Sequence, residues 1–366
     1  MKSMKKMLAL LMALVLTFAL VGCGGSSDDA AAPADNGTTE EKTEEAPADD
    51  AATDDAATDD TAEAGDSEGG LIKVGYAQIG AESDWRLANT ESFKQQFTEE
   101  NGYELIFNDG QQKQENQIKA IRDFIAQDVD YIVLAPVVET GWDTVLQEAK
   151  DAGIPVILSD RGVDVADDSL YTTQVCGDFV LEGNNAGDWL AQELKDKGRD
   201  KEEINVCVIE GTTGASAATG RKEGFAAKAD ENGWKILDSQ DGDFTQEGGQ
   251  EVMESFLKNY DDIDVVVCAN DNEAFGAIAA IEAAGKTTGP EGDIWIISFD
   301  AVKQGFQYMV DGKLNCDVEC NPLYGPKIDE IIKKLENGEE LEKLSHPEEG
   351  VFDYKTAADL IDSRLY

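Results

Sequence analysis

The stretch YIVLAPVVETGWDTVLQEAKDAGIPVILSDR, residues 131–161, decides the fold. It places two short runs rich in Val, Ile and Leu, YIVLAPV and IPVILSD, on either side of a longer amphipathic stretch. Near-continuous apolar runs joined by helical segments are what parallel strands need when helices cover both faces of their sheet. From Leu71 onward the unit repeats, through IKVGYAQI, YELIFND, YIVLAPV and IPVILSD, then INVCVIEG, WKILDSQ, VVVCAND and IWIISFD. The joining helices are readable as well. Ile118, Ile121, Phe124 and Ile125 recur at three and four in NQIKAIRDFIAQD, as do Val252, Met253, Phe256 and Leu257 in GQEVMESFLKNY. The eight runs form two sets of four, divided by YTTQVCGDF and a long helix, LEGNNAGDWLAQELK. Two doubly wound α/β units in tandem follow. Beyond them lie one more strand candidate, LNCDVEC, a helix, YGPKIDEIIKKLENG, and a polar tail.

The chain opens MKSMKKMLALLMALVLTFALVGCGG, with three lysines in its first six residues and an apolar segment shorter than a usual membrane span. Residues 1–22 read as a signal peptide whose LVGC ending matches a lipobox, with Cys23 as the lipidated N-terminus. Residues 24–70 hold 16 acidic residues, one lysine, and no aromatic residue, Val, Ile, Leu or Met. So little apolar surface cannot offset chain entropy, and residues 23–70 are expected to be an acidic, disordered tether. The net charge of -46 excludes a nucleic-acid partner and a basic membrane-binding face. A neutral or cationic small ligand stays open. Five cysteines follow Cys23, an odd number, and the single histidine, His346, with no CxxC pair, argues against zinc.

In open α/β sheets the ligand sits at the carboxyl ends of the strands. Here the runs end in Asp109, Asp160 and Arg161, Asp243 and Phe244, Asn270 and Asp271, and Asp300. An acid or amide after a strand often only caps the next helix, but an Asp-Arg pair directly after ILS is costly without a partner. Carboxylates that accept, guanidiniums and amides that donate, and aromatic walls together suit a polyhydroxylated ligand. Trp85, in GAESDWRLA, is the other aromatic at these edges. At about 100° per residue it falls roughly 80° round its helix from Phe93 and 120° from Phe97, off the core stripe. Trp142, Trp189, Trp234 and Trp295 are better placed as packing residues.

The residues from Leu71 to Leu344 resemble the ribose and galactose-type substrate-binding proteins of bacterial sugar ABC transporters. The galactofuranose-binding branch is the nearest match, through GAESDWR, DGQQKQENQIKAIRDFIAQ, LAPVVETGWDTVLQEAKDAGIPVILSDR, EGTTGASAATGRKEGF and GDFTQEGGQEVMESF. The resemblance implies a type I periplasmic binding protein fold, with two lobes joined by a three-crossover hinge. The N-terminal lobe would comprise 71–177 plus 321–350, and the C-terminal lobe 178–320 plus 351–366. It implies that Trp85 stacks on a sugar, with Arg86 and Ser83 as polar neighbours, and that Asp160 and Arg161 grip ring hydroxyls. Arg221, Phe244, Asn270 and Asp300 would close from the second lobe, Asp109 would stand at the same edge, and Glu319 would substitute for a glutamine of the relatives, whose position is Cys320 here. The expected protein is a monomeric, membrane-anchored receptor that passes a monosaccharide to an ABC permease, without cofactor, metal or catalysis. A sugar sensor for a membrane receptor shares every one of these residues. A glycosidase needs two catalytic carboxylates, whose separation sequence does not give.

Overall fold

All eight apolar runs form strands, in a computed structural model that describes residues 70–366. The signal peptide, Cys23 and the tether of 23–70 otherwise lie outside the described residues. The first sheet contains β1 (Ile72–Gln78), β2 (Tyr103–Asp109), β3 (Tyr131–Leu134), β4 (Val156–Ser159) and β5 (Thr173–Val175). The second contains β6 (Asn205–Glu210), β7 (Lys235–Asp241), β8 (Val265–Cys268), β9 (Trp295–Asp300) and β10 (Cys316–Glu319). Two short strands, β11 (Leu344–Ser345) and β12 (Val351–Asp353), complete six strands in each. The sheet orders are β11-β5-β4-β3-β1-β2 and β12-β10-β9-β8-β6-β7, and only β12 pairs antiparallel.

The burial of the strands follows from this order. Every residue of β3, β4, β8 and β9 is buried, because helices cover both faces. β2 and β7 lie at the edges and alternate less cleanly. The chain changes lobe three times: after β5, after β10 and between β11 and β12.

The helices that set the site are α1 (Asp84–Gln96), α4 (Phe179–Asp196), α5 (Ser216–Asn232), α7 (Asp271–Ala283) and α9 (Gly325–Glu336). In the expected helix over NQIKAIRDFIAQD, α2 (Gln114–Ala126), the buried face is Gln117, Ala120, Ile121 and Phe124, with Ile118 and Ile125 at its margins. Gln117 turns inward because its amide joins the ends of β1 and β3, donating to Ala77 O at 3.3 Å and Ala135 O at 2.6 Å and accepting from Val137 N at 3.0 Å. Helices α4 and α5 approach closely through glycine. A Cβ on Gly183 would lie 2.3 Å from Arg221 O, and one on Gly224 2.2 Å from Val180 O. The five cysteines are free and buried, so no disulfide staples either lobe. Among the described residues no helix is long and apolar enough to cross a membrane.

Candidate functional site

The carboxyl ends of both sheets face one another across a cavity. Its N-lobe wall begins with GAESDWR. Ser83 caps α1, its Oγ accepting from Arg86 N at 3.1 Å, and this fixes the first turn that carries Trp85 and Arg86. The Arg86 guanidinium donates to Glu82 Oε1 at 2.8 Å and to Asp160 Oδ2 at 2.6 Å. Burial disfavours its charge, but Asp160 and Glu82 outweigh burial and hold it protonated. Glu82 is held below the ordinary carboxylate range against its own burial by Arg86 and Arg161.

Trp85 is not off the core face, as its angle from Phe93 suggested. It is buried with Asn89, Ser92 and Phe93, in the same apolar cluster as Phe93 and Phe97. The buried face of α1 is broad because its first turns pack on the second crossover as well as on the sheet. Trp85 Nε1 donates to Cys320 O at 2.7 Å, and its ring meets Tyr324 edge-on at 6.1 Å. The indole therefore packs and lines the cavity at once.

Asp160 follows β4 with φ of 67°, and Arg161 donates to Val137 O at 3.0 Å. Phe244 and Asp300, in the opposite wall, also have positive φ, 58° and 104°. Such backbone costs of order 1–3 kcal/mol per residue and persists where the surroundings over-determine it, which is characteristic of ligand sites. Glu273 supplies part of that constraint, accepting from Phe244 N at 2.8 Å, while Asn270 Nδ2 donates to Phe244 O at 3.1 Å. Asn270 Oδ1 accepts from Glu273 N at 2.9 Å, so the capping role of a strand-end amide is realised here. One amide hydrogen of Asn270 remains for a ligand.

Arg221 reaches the cavity from α5, donating to Glu182 Oε2 at 2.6 Å, Ala269 O at 2.6 Å and Asp300 Oδ1 at 3.3 Å. Burial works against its charge, but Glu182 and then Asp300 raise it further above its ordinary value. Burial pushes both carboxyls upward against the pull of Arg221. Across the cavity, Glu82 and Asp160 balance Arg86 and Arg161. Burial first, and then Arg86, lower Arg161 to about 10, which leaves it charged at neutral pH.

The lining sets three carboxyls, of Glu82, Asp160 and Asp300, against three guanidiniums, of Arg86, Arg161 and Arg221, and three polar atoms in it have no partner: Glu82 Oε2, Arg86 Nη1 and Arg161 Nε. An acceptor beside two donors, in a cavity with net charge near zero, matches the hydroxyls of a neutral ligand. A charged ligand would bring an uncompensated charge into a buried site.

The lobes touch around this cavity. Arg161 lies over the Phe244 ring at 4.8 Å, Asp84 N donates to Asn272 Oδ1 at 3.0 Å, Glu139 N to Gly214 O at 2.9 Å, and Gly162 N to Ser216 Oγ at 3.0 Å. This is a closed cleft.

Ser83, Trp85, Arg86, Asp160, Arg161, Arg221, Phe244, Asn270 and Asp300 all line it. Asp109 and Glu319 do not. Asp109 ends the edge strand β2, is exposed, and uses Oδ1 to accept from Gln111 N at 2.8 Å, a turn-forming role. Glu319 points away from the cavity and accepts from Arg364 Nη2 and the Tyr366 hydroxyl, both at 2.8 Å. The next residue, Cys320, lines the cavity instead. Asp243 belongs to the rim, where its Oδ1 accepts from Thr212 Oγ1 at 2.7 Å. Glu82, Ala217 and Cys320 complete the lining, and sequence reading did not assign them. Glu82 had a usable signal, since it precedes Arg86 by four residues, the spacing of a helical ion pair.

A family model described as a periplasmic binding protein domain matches residues 74–322. The galactofuranose-binding protein YtfQ of Escherichia coli (strain K12) is 48% identical over 279 residues, 75% of this chain and 85% of that protein. A crystal structure from Mycobacterium smegmatis, in complex with beta-D-fucofuranose, is similar with a TM-score of 0.76 and 48% identity, covering 80% of this chain and 94% of that one. The periplasmic binding protein component of the arabinose ABC transporter from Shewanella sp. ANA-3, bound to alpha and beta-L-arabinofuranose, gives 0.74 and 44%, covering 80% and 95%.

Proposed function

The chain belongs to the periplasmic binding protein domain family, and we propose that it captures one neutral furanose sugar, with galactofuranose as the best candidate, and delivers it to an ABC permease. The observation that carries this reading is the neutral, closed cavity with its unpartnered acceptor and donors. Its lining mixes two aromatic walls with a few charged and amide groups, the make-up of a small-molecule site. Five-membered rings are supported by the relatives, which are named for or hold galactofuranose, fucofuranose and arabinofuranose.

In this reading Trp85 and Phe244 provide apolar walls, while Glu82, Arg86, Asp160, Arg161, Arg221, Asn270 and Asp300 bind hydroxyls. The lobes 71–177 plus 321–350 and 178–320 plus 351–366 close as units, the hinge motion of periplasmic binding proteins. Ligand favours closure because its hydroxyls satisfy groups that the closed cleft buries. The receptor works as a monomer held by a lipid on Cys23, with the acidic segment as its tether. The lysine-rich start, apolar segment and LVGC support that anchor.

Calorimetry against galactose, fucose and arabinose, beside galacturonate and galactosamine, tests the reading. The neutral sugars should bind at one site, and the charged ones should fail. Tight binding of either charged sugar, or of none of the five, overturns it. Cys23→Ser should release the protein from membranes, and retention there contradicts the lipid anchor.

A further inference from the structure

Beneath Asp300, on the side away from the cavity, two more carboxyls meet. Asp271 opens α7 and Asp317 lies in the middle of β10, and both are fully buried, with no exposed surface. Each holds one backbone amide of the turn after β9. Ala301 N donates to Asp317 Oδ1 and Val302 N to Asp271 Oδ2, both at 2.9 Å. Ser298 Oγ donates to Asp271 Oδ1 at 2.7 Å. Asp317 Oδ2 receives no hydrogen bond from any donor. It lies near Asp271: a Cβ built on Gly305, in α8 (Lys303–Val310), would sit 2.4 Å from Asp317 Oδ2 and 2.8 Å from Asp271 Oδ2, so the two oxygens share one side of that helix.

Two bare carboxylates this close, both out of water, repel each other, whereas one proton between them allows a charge-assisted hydrogen bond. We propose that Asp271 and Asp317 share one proton, and that the pair thereby acts as positioning residues for Asp300, clamping the turn that aims its carboxylate at the ligand. The turn needs a clamp because Asp300 and Ala301 both have positive φ, 104° and 57°. The other titratable and charged groups facing the pair are Asp300, Arg221 on α5, Cys268 at the end of β8 and Cys316 on β10. Both cysteines are buried thiols held in the neutral form by burial, and Arg221 already serves Glu182 and Asp300. None of them supplies a hydrogen to Asp317 Oδ2. Burial first, and then Asp271, push Asp317 well above the ordinary carboxylate range, and burial raises Asp271 as well, as expected of two carboxyls that hold a proton between them. The positioning role rests on the sugar-binding reading of the same cavity.

Asp317→Asn is isosteric, and its Nδ2 can donate to Asp271 in place of the shared proton. Asp317→Ala removes the clamp. Galactose affinity, read by calorimetry at neutral pH, should stay within about threefold for Asp317→Asn and fall at least about tenfold for Asp317→Ala. Carbon-13 NMR of the aspartate carboxyls in the ligand-free full chain should show, from the Asp271–Asp317 pair, a carboxyl that keeps its proton at neutral pH, a signal lost in Asp317→Asn. Unchanged affinity in Asp317→Ala, equal losses in both variants, or ionisation of both Asp271 and Asp317 at neutral pH overturns the proposal. Should Asp317→Ala fail to fold, the Asn variant and the NMR measurement still decide. Absence of sugar binding in the unmodified protein defeats the functional reading and the positioning role with it, while the carboxyl spectrum separately decides the shared proton.

Discussion

Replacing Arg221 by methionine keeps most of the side-chain length and removes the cation that faces Glu182 and Asp300. Both acids are nearly inaccessible, at 2% and 4% exposure. Removing one partner from a buried ion pair costs about 3–5 kcal/mol, because the surviving carboxylate is left without compensation. Unfolding of a lobe of roughly 150 residues shifts by ~2–4 °C per kcal/mol, so the midpoint should fall by at least about 6 °C at pH near 8. The deficit should shrink on acidification. Both carboxyls already lie above their unfolded values in the native protein, so their protonated forms are favoured by folding and charge is what folding opposes. Without Arg221 that opposition grows, and each pH unit downward recovers up to about 1.4 kcal/mol per carboxyl. Calorimetric scans of Arg221→Met and the unmodified protein at pH near 8 and near 5 make the comparison. A deficit under about 1 kcal/mol at the higher pH, or one that does not shrink at the lower, refutes the reasoning.

Trp85→Ala should weaken galactose binding by at least about 1 kcal/mol through loss of aromatic contact, and unchanged affinity by calorimetry would remove the wall role. Gly211 leaves room for Phe244, since a Cβ there would lie 2.0 Å from the ring, so Gly211→Val should cut affinity at least about tenfold while leaving the fold intact by circular dichroism. Glu349, in the third crossover, accepts from Asn321 N at 2.9 Å and is raised to about 9, first by burial and then by neighbouring Glu182. Its folded value exceeds its unfolded one, so the stability it contributes is full at low pH and is lost as pH rises through about 9; Glu349→Gln should flatten that part of the thermal-stability profile.

The sheets were legible because burial on both faces writes itself as unbroken Val and Ile runs, as in VVVC of β8. β5, β11 and β12 were not, since strands of two or three residues carry too short a pattern to separate from a loop. Asp160, Arg161, Phe244, Asn270 and Asp300 could be placed from their position after strands alone. Trp85 was visible as an aromatic just after the first strand, whereas Arg221 needed the family resemblance, because a residue inside a helix shows no strand end to mark it. Asp109 and Glu319 went astray for geometric reasons: strand order decides which ends converge, and alternation along β10 turns Glu319 toward the C-terminus. Glu182, Glu273, Asp271 and Asp317 look like surface acids in sequence, and only their contacts reveal buried supports of the cavity wall.

The most direct test of a neutral furanose site is the ring form of the bound sugar. Galactose labelled with carbon-13 at its anomeric carbon interconverts between six- and five-membered rings in water, so the protein can select between them. NMR of the purified complex should show one bound sugar per chain with the chemical shift of the furanose, even though the pyranose dominates free in solution. A bound pyranose signal, or no bound signal, would contradict the account.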